Sequence, residues 1–347
     1  MYFDTYTSNT LAAGGNQALF RPADPTAEQV GRVYYTLFEG GTLAYSLLFA
    51  DTVDSTFADG SISRAQDTCG GFEITRVALG LADGIGEPHA MLSLGGGHVP
   101  SGGQWATEPV VLTANAGDCL CVEIGFRGTV IPCHKETQIP VFLKQGDDWV
   151  PAVDVPLPSM IGCARTVKKR IAYLGDSITQ GIGVQPNSYL HWNALLSEAL
   201  GHEYAYWNLG LGFGRAMDAA CDGAWLHKAK QADVVTVCFG VNDIGRGRTA
   251  EQILADLACI VERLQQAGCR VLLQSVPPFT YTPENFAKWQ AVNRGIREQL
   301  AAKADAFFDV EAILGSDTPL YGGHPNEEGC RLWAEALLPV IQPLLND

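Results

Sequence analysis

The chain has 347 residues, of which 47% are hydrophobic and 18% charged, so it can bury a sizeable core and corresponds in length to roughly two domains. Its 38 Asp and Glu residues outnumber its 23 Lys and Arg residues, and the formal net charge is −15. Because phosphate backbones and anionic lipids attract the opposite sign, this balance argues against nucleic acid and against a membrane surface as partners.

The first residues do not combine a basic stretch with an apolar run, as a secretory signal would, and no apolar run approaches the ~20 residues that span a bilayer. The ten cysteines are scattered and form no CxxC pair, and the metalloprotease spacing HExxH is absent. We therefore expect a cytoplasmic protein with reduced, buried cysteines and without a metal site. Nothing in the sequence indicates an oligomeric state.

In the first half of the chain, short β-rich segments alternate with Gly, Asp and Asn between about residues 30 and 145. Examples are RVYYTLFEGG, LAYSLLFADTV and CLCVEIGFRG. This spacing predicts an all-β sandwich or jelly-roll domain over residues 1–150. The proline-containing residues 151–167 predict a linker, and the run Gly95-Gly96-Gly97-His98 predicts a turn.

From residue 168 to 347 the pattern changes to alternating strands and helices. Predicted strands are KRIAYLG (169–175), YAYWNLG (204–210), DVVTVCFG (233–240), CRVLLQSV (269–276) and AFFDVEAIL (306–314). Helices are predicted near 188–200, 215–230, 250–267, 284–303 and 326–345, and Thr249 is the expected cap of the third. The alternation predicts an α/β domain with about five parallel strands, whose ligands bind at the carboxyl ends of the strands.

Polar and glycine-rich segments follow four of these strands. Gly175-Asp176-Ser177 comes after the first, residues 208–214 (NLGLGFG) end the second, residues 240–243 (GVND) end the third, and residues 321–326 (YGGHPN) follow the fifth. The spacing around Ser177 is neither G-x-S-x-G nor a P-loop. Together the segments offer a nucleophile, oxyanion donors and a histidine base, which are the parts needed for acyl transfer.

These four segments, in this order, resemble the four blocks of the SGNH (GDSL-type) esterase and lipase superfamily. The resemblance covers residues 168–347 and implies a flavodoxin-like sheet of three-layer architecture. It also implies that Ser177 is the nucleophile and His324 the general base, and that no metal or organic cofactor takes part.

The same resemblance assigns the oxyanion hole to a glycine of the second block and to Asn242. Gly212 is our choice for the glycine donor, and Gly210 and Gly214 remain alternatives. Asp176 and Asp243, in contrast, are expected to accept hydrogen bonds from loop N–H groups rather than to take part in the chemistry.

One position departs from the family pattern. The family places an aspartate three residues before the histidine, and here that position is Tyr321, which has no carboxylate to orient the imidazole. The expected site is therefore a Ser-His dyad with His324 held by a backbone carbonyl, or a triad with another acid such as Asp317.

The two-part layout resembles that of carbohydrate esterases with an N-terminal β-sandwich. It implies a serine esterase that removes a short acyl group, preferably acetyl, from a carbohydrate. A lipolytic esterase or thioesterase of the same mechanism, an acetyltransferase, and a non-catalytic carbohydrate-binding protein are the alternatives that the sequence leaves open.

Overall fold

The computed structural model describes residues 1–55, 65–315, 320–321 and 323–346. The chain divides into two compact units. Unit one comprises Met1–Asp54, Gln66–Thr166 and Ala205–Trp207, and unit two comprises Ser55–Ala65, Val167–Tyr204 and Asn208–Asp347. None of the described helices is both long enough and apolar enough to cross a bilayer.

Unit one is built from strands, as the sequence predicts, apart from one helical turn, α1 (Tyr2–Thr5). In chain order its strands are β1 (Tyr6–Ser8), β2 (Ala18–Phe20), β3 (Gln29–Thr36), β4 (Gly41–Ala50), β5 (Phe72–Ala82), β6 (Leu92–Val99), β7 (Gln104–Ala106), β8 (Val110–Ala114), β9 (Cys119–Arg127), β10 (Ile131–Cys133), β11 (Val141–Gln145), β12 (Asp148–Pro151) and β13 (Met160–Ala164).

Two antiparallel sheets dominate unit one. The order of the six-stranded sheet is β12-β11-β3-β9-β5-β6; the five-stranded sheet runs β1-β13-β4-β7, with β8 also on β4. The pair β10-β2 forms a third, two-stranded sheet. Strand β9 lies inside the larger sheet, between β3 and β5, and its residues Val122, Ile124 and Phe126 are fully buried.

Two predictions for this region need correction. The predicted linker, residues 151–167, contains β13, which pairs with both β1 and β4. The prolines before β13 led to the prediction of a linker, and the strands that pair with β13 lie more than a hundred residues earlier in the chain. The predicted turn at Gly95–His98 lies inside β6: at Gly97 a Cβ atom would stand 2.3 Å from the Trp105 ring, so the glycine permits close packing within a strand.

A five-stranded sheet runs through the second half of the chain in the order β15-β14-β16-β17-β18, which is the flavodoxin-like order 2-1-3-4-5. Its strands are β14 (Arg170–Gly175), β15 (Ala205–Gly210), β16 (Val234–Cys238), β17 (Arg270–Gln274) and β18 (Ala306–Phe308). The pairs β14–β16, β16–β17 and β17–β18 are parallel. Each of the five strands lies within a predicted one, because continuous apolar runs are typical of strands buried on both faces.

The helices of unit two are α2 (Ser177–Gln180), α3 (Trp192–Leu200), α4 (Ala216–Ala220), α5 (Ala224–Ala229), α6 (Val241–Gly245), α7 (Ala250–Gln266), α8 (Pro283–Gly295), α9 (Val310–Leu314) and α10 (Glu327–Leu345). A π-helical turn, π1 (Ile296–Leu300), continues α8, and a short hairpin of β19 (Leu320–Tyr321) and β20 (His324–Pro325) precedes α10. Thr249 caps α7 as predicted, since its hydroxyl accepts the Gln252 N–H at 3.3 Å.

Two element boundaries were predicted wrongly. The fifth strand ends at Phe308 instead of running to residue 314, because Asp309 is held by Arg297 and Ser275 and α9 begins directly after it. The helix predicted over 215–230 is divided into α4 and α5, since Asp222 between them has a φ of 58°, a left-handed conformation that no helix continues through.

Candidate active site

Ser177 lies at the carboxyl end of β14, where the strand turns sharply into α2. The side chain of Asp176 caps this helix by accepting the Ile178 N–H at 3.0 Å. At Gly175 a Cβ atom would stand 2.1 Å from the Thr179 hydroxyl and 2.7 Å from the Cys238 carbonyl oxygen, so the turn has room only for glycine. The turn presents Ser177, which is partly exposed while its neighbours are buried.

His324 comes from the other end of the unit, on β20 directly before α10. Asn326 is the N-cap of that helix, and its side chain accepts the Gly329 N–H at 3.1 Å. The hydroxyl oxygen of Ser177 and Nε2 of His324 are 2.8 Å apart, although 147 residues separate them in sequence. This is hydrogen-bonding distance, at which an imidazole can take the hydroxyl proton.

Asn242, the predicted side-chain donor, lies in the first turn of α6, after β16. Gly240 precedes that helix with a φ of 136°, and a Cβ there would stand 2.6 Å from Val276. Nδ2 of Asn242 donates to the Gly214 carbonyl at 3.0 Å. Because a carboxamide carries two N–H donors, this bond uses one of them.

Gly212, the predicted backbone donor, already has an acceptor within the unit. Its N–H donates to the side-chain oxygen of Gln180 at 2.5 Å, and Gln180 itself is only 1% exposed. An ester oxygen would therefore have to displace this buried amide before Gly212 could stabilise it.

The two alternative glycines are also engaged. The Gly210 N–H donates to the Asn208 side chain at 2.9 Å, and the Gly214 N–H donates to the Leu211 carbonyl at 3.1 Å. The second block is thus a tightly bonded loop, which fixes its backbone but leaves the choice of glycine donor a prediction.

The match to known families coincides with this part of the chain. Residues 173–332, which include both Ser177 and His324, match the model of the GDSL-like lipase/acylhydrolase family. This region belongs to the GDSL family. The chain is accordingly an enzyme of the carboxylic ester hydrolase class.

Solved GDSL-type structures are similar to about half of the chain. A lipolytic protein of the G-D-S-L family from Veillonella parvula is 20% identical, with coverage of 49% of this chain and 97% of that one and a TM-score of 0.43. A carbohydrate acetylesterase family member from Sinorhizobium meliloti is 20% identical, with coverage of 52% and 100% and a TM-score of 0.43. A carbohydrate esterase family 3 protein from Talaromyces cellulolyticus is 20% identical, with coverage of 51% and 98% and a TM-score of 0.39. No curated protein matches the chain.

Two buried carboxyl groups of the GDSL region bond loop N–H groups, as predicted. Asp176 bonds Ile178, and Asp243 accepts the Ala216 N–H at 2.9 Å. Burial raises the pKa of each carboxyl to about 7, since the charged form loses its hydration. Their hydrogen bonds to N–H groups oppose this shift but do not cancel it.

The sequence left open whether a backbone carbonyl or another acid, such as Asp317, orients His324. Asp317, the suggested substitute, lies outside the described residues. Tyr321 occupies the usual acid position, and its backbone pairs with that of His324 in the β19–β20 hairpin. In the described part of the chain, no group of three or more His, Cys, Asp and Glu side chains is arranged to hold a metal ion.

Three residues that contact the site were missed at the sequence level. They are Gln180, described above, and Gly183 and Phe279, which both pack against the His324 segment. Phe279 follows β17, so the rule that functional groups follow the strands of a parallel sheet could have found it. Gly183 and Gln180 had no such signal, because their contacts depend on how distant segments meet.

Proposed function

We propose that the chain is a serine esterase that hydrolyses short-chain acyl esters of a carbohydrate, with a preference for acetyl esters. The observation that carries this proposal is the 2.8 Å contact between the Ser177 hydroxyl and Nε2 of His324 at the carboxyl edge of the parallel sheet. A hydroxyl becomes a competent nucleophile at neutral pH when an adjacent base accepts its proton.

In this mechanism His324 takes the proton of Ser177 as the serine oxygen attacks the ester carbonyl carbon. The tetrahedral intermediate then collapses, the protonated imidazole gives its proton to the departing alkoxide, and the acyl group stays on Ser177. A water molecule, deprotonated by His324, attacks the acyl-enzyme, and the carboxylic acid leaves as Ser177 regains its proton.

The negative charge of the intermediate requires hydrogen-bond donors. The N–H of Ser177 is suited to this role because it belongs to the first turn of α2, where backbone N–H groups have no acceptor within the helix. The remaining N–H of Asn242 is the second donor. Gly212 becomes the third when its bond to Gln180 is exchanged for one to the substrate.

The substrate class rests on the layout of the chain. An all-β unit precedes the GDSL region, and we propose that its five- and six-stranded antiparallel sheets form the β-sandwich of a two-domain carbohydrate esterase. The absence of a carboxylate at position 321 gives either a Ser-His dyad, with His324 held by a backbone carbonyl, or a triad completed by another acid such as Asp317.

The test is hydrolysis of p-nitrophenyl acetate, butyrate and octanoate by the wild type, Ser177→Ala and Ser101→Ala, followed by acetate release from an acetylated oligosaccharide. Ser101 is an exposed serine of a turn in unit one and serves as the control. We expect the acetate ester to be the best substrate, Ser177→Ala to be inactive and Ser101→Ala to retain activity. Preference for octanoate would instead indicate a lipolytic enzyme, and turnover that survives in Ser177→Ala would refute the serine mechanism.

A further inference from the structure

The ring of Phe279 lies against the imidazole of His324. The two ring centroids are 5.1 Å apart and the planes meet at 80°, an edge-to-face arrangement. Aromatic rings favour this edge-to-face geometry because the positive edge of one ring meets the negative face of the other. Phe279 is only half-buried, so this packing is not simply that of a core residue.

Two glycines leave the space in which Phe279 and His324 pack together. Gly323, directly before His324, has a φ of 90°, and a Cβ there would stand 2.8–3.0 Å from three carbons of the Phe279 ring. Gly183 has a φ of 115°, and its Cβ would stand 2.8 Å from Cβ of His324 and 2.4 Å from the Pro325 carbonyl oxygen. His324 thus packs against Phe279 by its ring and against Gly183 by its Cβ, and the backbone of Pro325 packs against the same glycine.

The segment that carries Phe279 is itself anchored. Asn293 on α8 holds Val276 by two hydrogen bonds, from the Val276 N–H at 2.8 Å and to its carbonyl at 2.9 Å. The indole N–H of Trp289 donates to the same carbonyl at 2.8 Å. Both anchoring side chains are buried, and two consecutive prolines at 277 and 278 restrict the backbone between the anchor and Phe279.

A histidine base must keep one ring orientation while it accepts and returns a proton. A carboxylate performs this task in a Ser-His-Asp triad, and the position three residues before His324 is Tyr321 in this chain. We infer that Phe279 is a positioning residue for His324: its ring, on the loop after β17 that α8 anchors at Val276, holds the imidazole in the orientation from which Nε2 reaches Ser177. The inference rests on the proposed function, in which His324 is the general base.

Steady-state kinetics on p-nitrophenyl acetate test this inference with Phe279→Leu, Phe279→Tyr and Phe286→Leu. The last variant is the matched control, since Phe286 packs on Trp289, with 5.3 Å between the ring centroids, and is 39% exposed on α8. In Phe279→Leu we expect kcat to fall about tenfold with KM nearly unchanged, because a misplaced catalytic group slows the chemical step. Phe279→Tyr, which keeps the aromatic ring, should restore most of kcat, and Phe286→Leu should behave as the wild type.

Three outcomes would overturn the inference. Phe279→Leu could retain the wild-type kcat, its loss could appear in KM alone, which would make Phe279 a substrate contact, or Phe286→Leu could lose as much, which would indicate general packing. Thermal melting of each variant separates these results from unfolding.

A second readout needs no turnover. The NMR resonance of the His324 Hε1 proton, assigned with His324→Ala, should shift in Phe279→Leu and stay in place in Phe286→Leu, because the aromatic ring current acts only at short range. A wild type without Ser177-dependent hydrolysis would refute the proposed function even if this shift is seen. An unshifted resonance in a wild-type-like active enzyme would refute the inference alone.

Discussion

Both units bury polar side chains that bond to the backbone, and unit two adds a partly exposed pair of polar side chains at the carboxyl edge of its sheet. In unit one Asp51 is fully buried, and its carboxylate accepts N–H groups of Cys69 at 3.1 Å and Gly102 at 2.7 Å. His134 is also buried, and its Nδ1 accepts the Gly15 N–H at 3.5 Å. Such side chains bond to the backbone and hold loops together.

In unit two Asp176 and Asp243 likewise bond backbone N–H groups, but the carboxyl edge of the sheet also holds a pair of side chains bonded to each other. Ser177 and His324 are both partly exposed and form a bond between two side chains, across which a proton can move. The difference indicates how to separate a functional polar group from a structural one. A functional group keeps a titratable partner and access to solvent, whereas a structural one is buried and bonded to backbone groups that never change charge.

The largest expected effect is the loss of activity when His324 is replaced. His324→Ala should lower kcat/KM by about 10³ or more, since the general base is lost, with little change in melting temperature. Kinetics on p-nitrophenyl acetate and thermal melting measure both quantities. The control is His227→Ala, because His227 is an exposed histidine of the same unit, and equal losses in the two variants would contradict the role of His324.

The next effect concerns the oxyanion donor of α6. Asn242→Ala should lower kcat by about 10²–10³ while KM changes little, because the lost hydrogen bond is formed with the charge that develops in the transition state. Asn285→Ala on α8 serves as the control. A change confined to stability would show that Asn242 only fastens the Gly214 carbonyl.

A stability effect follows from the buried Asp176. Its pKa is raised to about 7 by burial, so the folded protein binds more protons than the unfolded chain between about pH 4 and pH 7. The free energy of unfolding should therefore fall as the pH rises through this window, and stay level above it. Asp176→Asn retains a capping side chain and removes the titration.

Denaturant unfolding of Asp176→Asn and the wild type at several pH values measures this effect. The variant should be the more stable protein at pH 8, by up to about 4 kcal/mol, and the difference should vanish near pH 4. A pH-independent difference would mean that the carboxyl is ionised in both states or in neither.

The smallest effect concerns His134 in unit one, where the free energy of unfolding should change with pH in the opposite direction. Burial lowers the pKa of His134 to about 4, so the unfolded chain binds the extra proton between about pH 4 and pH 6.5. His134 therefore contributes stability that is present above pH 6.5 and is lost as the pH falls through this window, by up to about 3 kcal/mol. His134→Gln keeps an acceptor for Gly15 and should flatten this slope in unfolding experiments, whereas an unchanged slope would assign it to other groups.

Local patterns in the sequence were sufficient for the main features of unit two. Apolar runs gave the five strands, and the segments after them gave Ser177, Asn242 and His324, because the carboxyl ends of parallel strands meet at one edge. The pairing of β13 with β1 could not be read in this way, since it joins residues at opposite ends of unit one. Gly183 and Gln180 were missed for the same reason, since each acts through a contact that exists only after distant segments have packed. Phe279 follows β17, so the rule that located Ser177 could have found it.

The 147-residue separation of Ser177 and His324 has a consequence for how the protein acquires its activity. Helices and the first strand pairs can form before Ser177 and His324 meet, so the circular dichroism signal would recover early in a refolding experiment. Hydrolysis would return only when the hairpin before α10 has docked against the loop after β14. The return of ester hydrolysis therefore reports when the His324 hairpin has docked beside Ser177. A lag between the circular dichroism signal and hydrolysis would measure the lifetime of a folded but inactive intermediate.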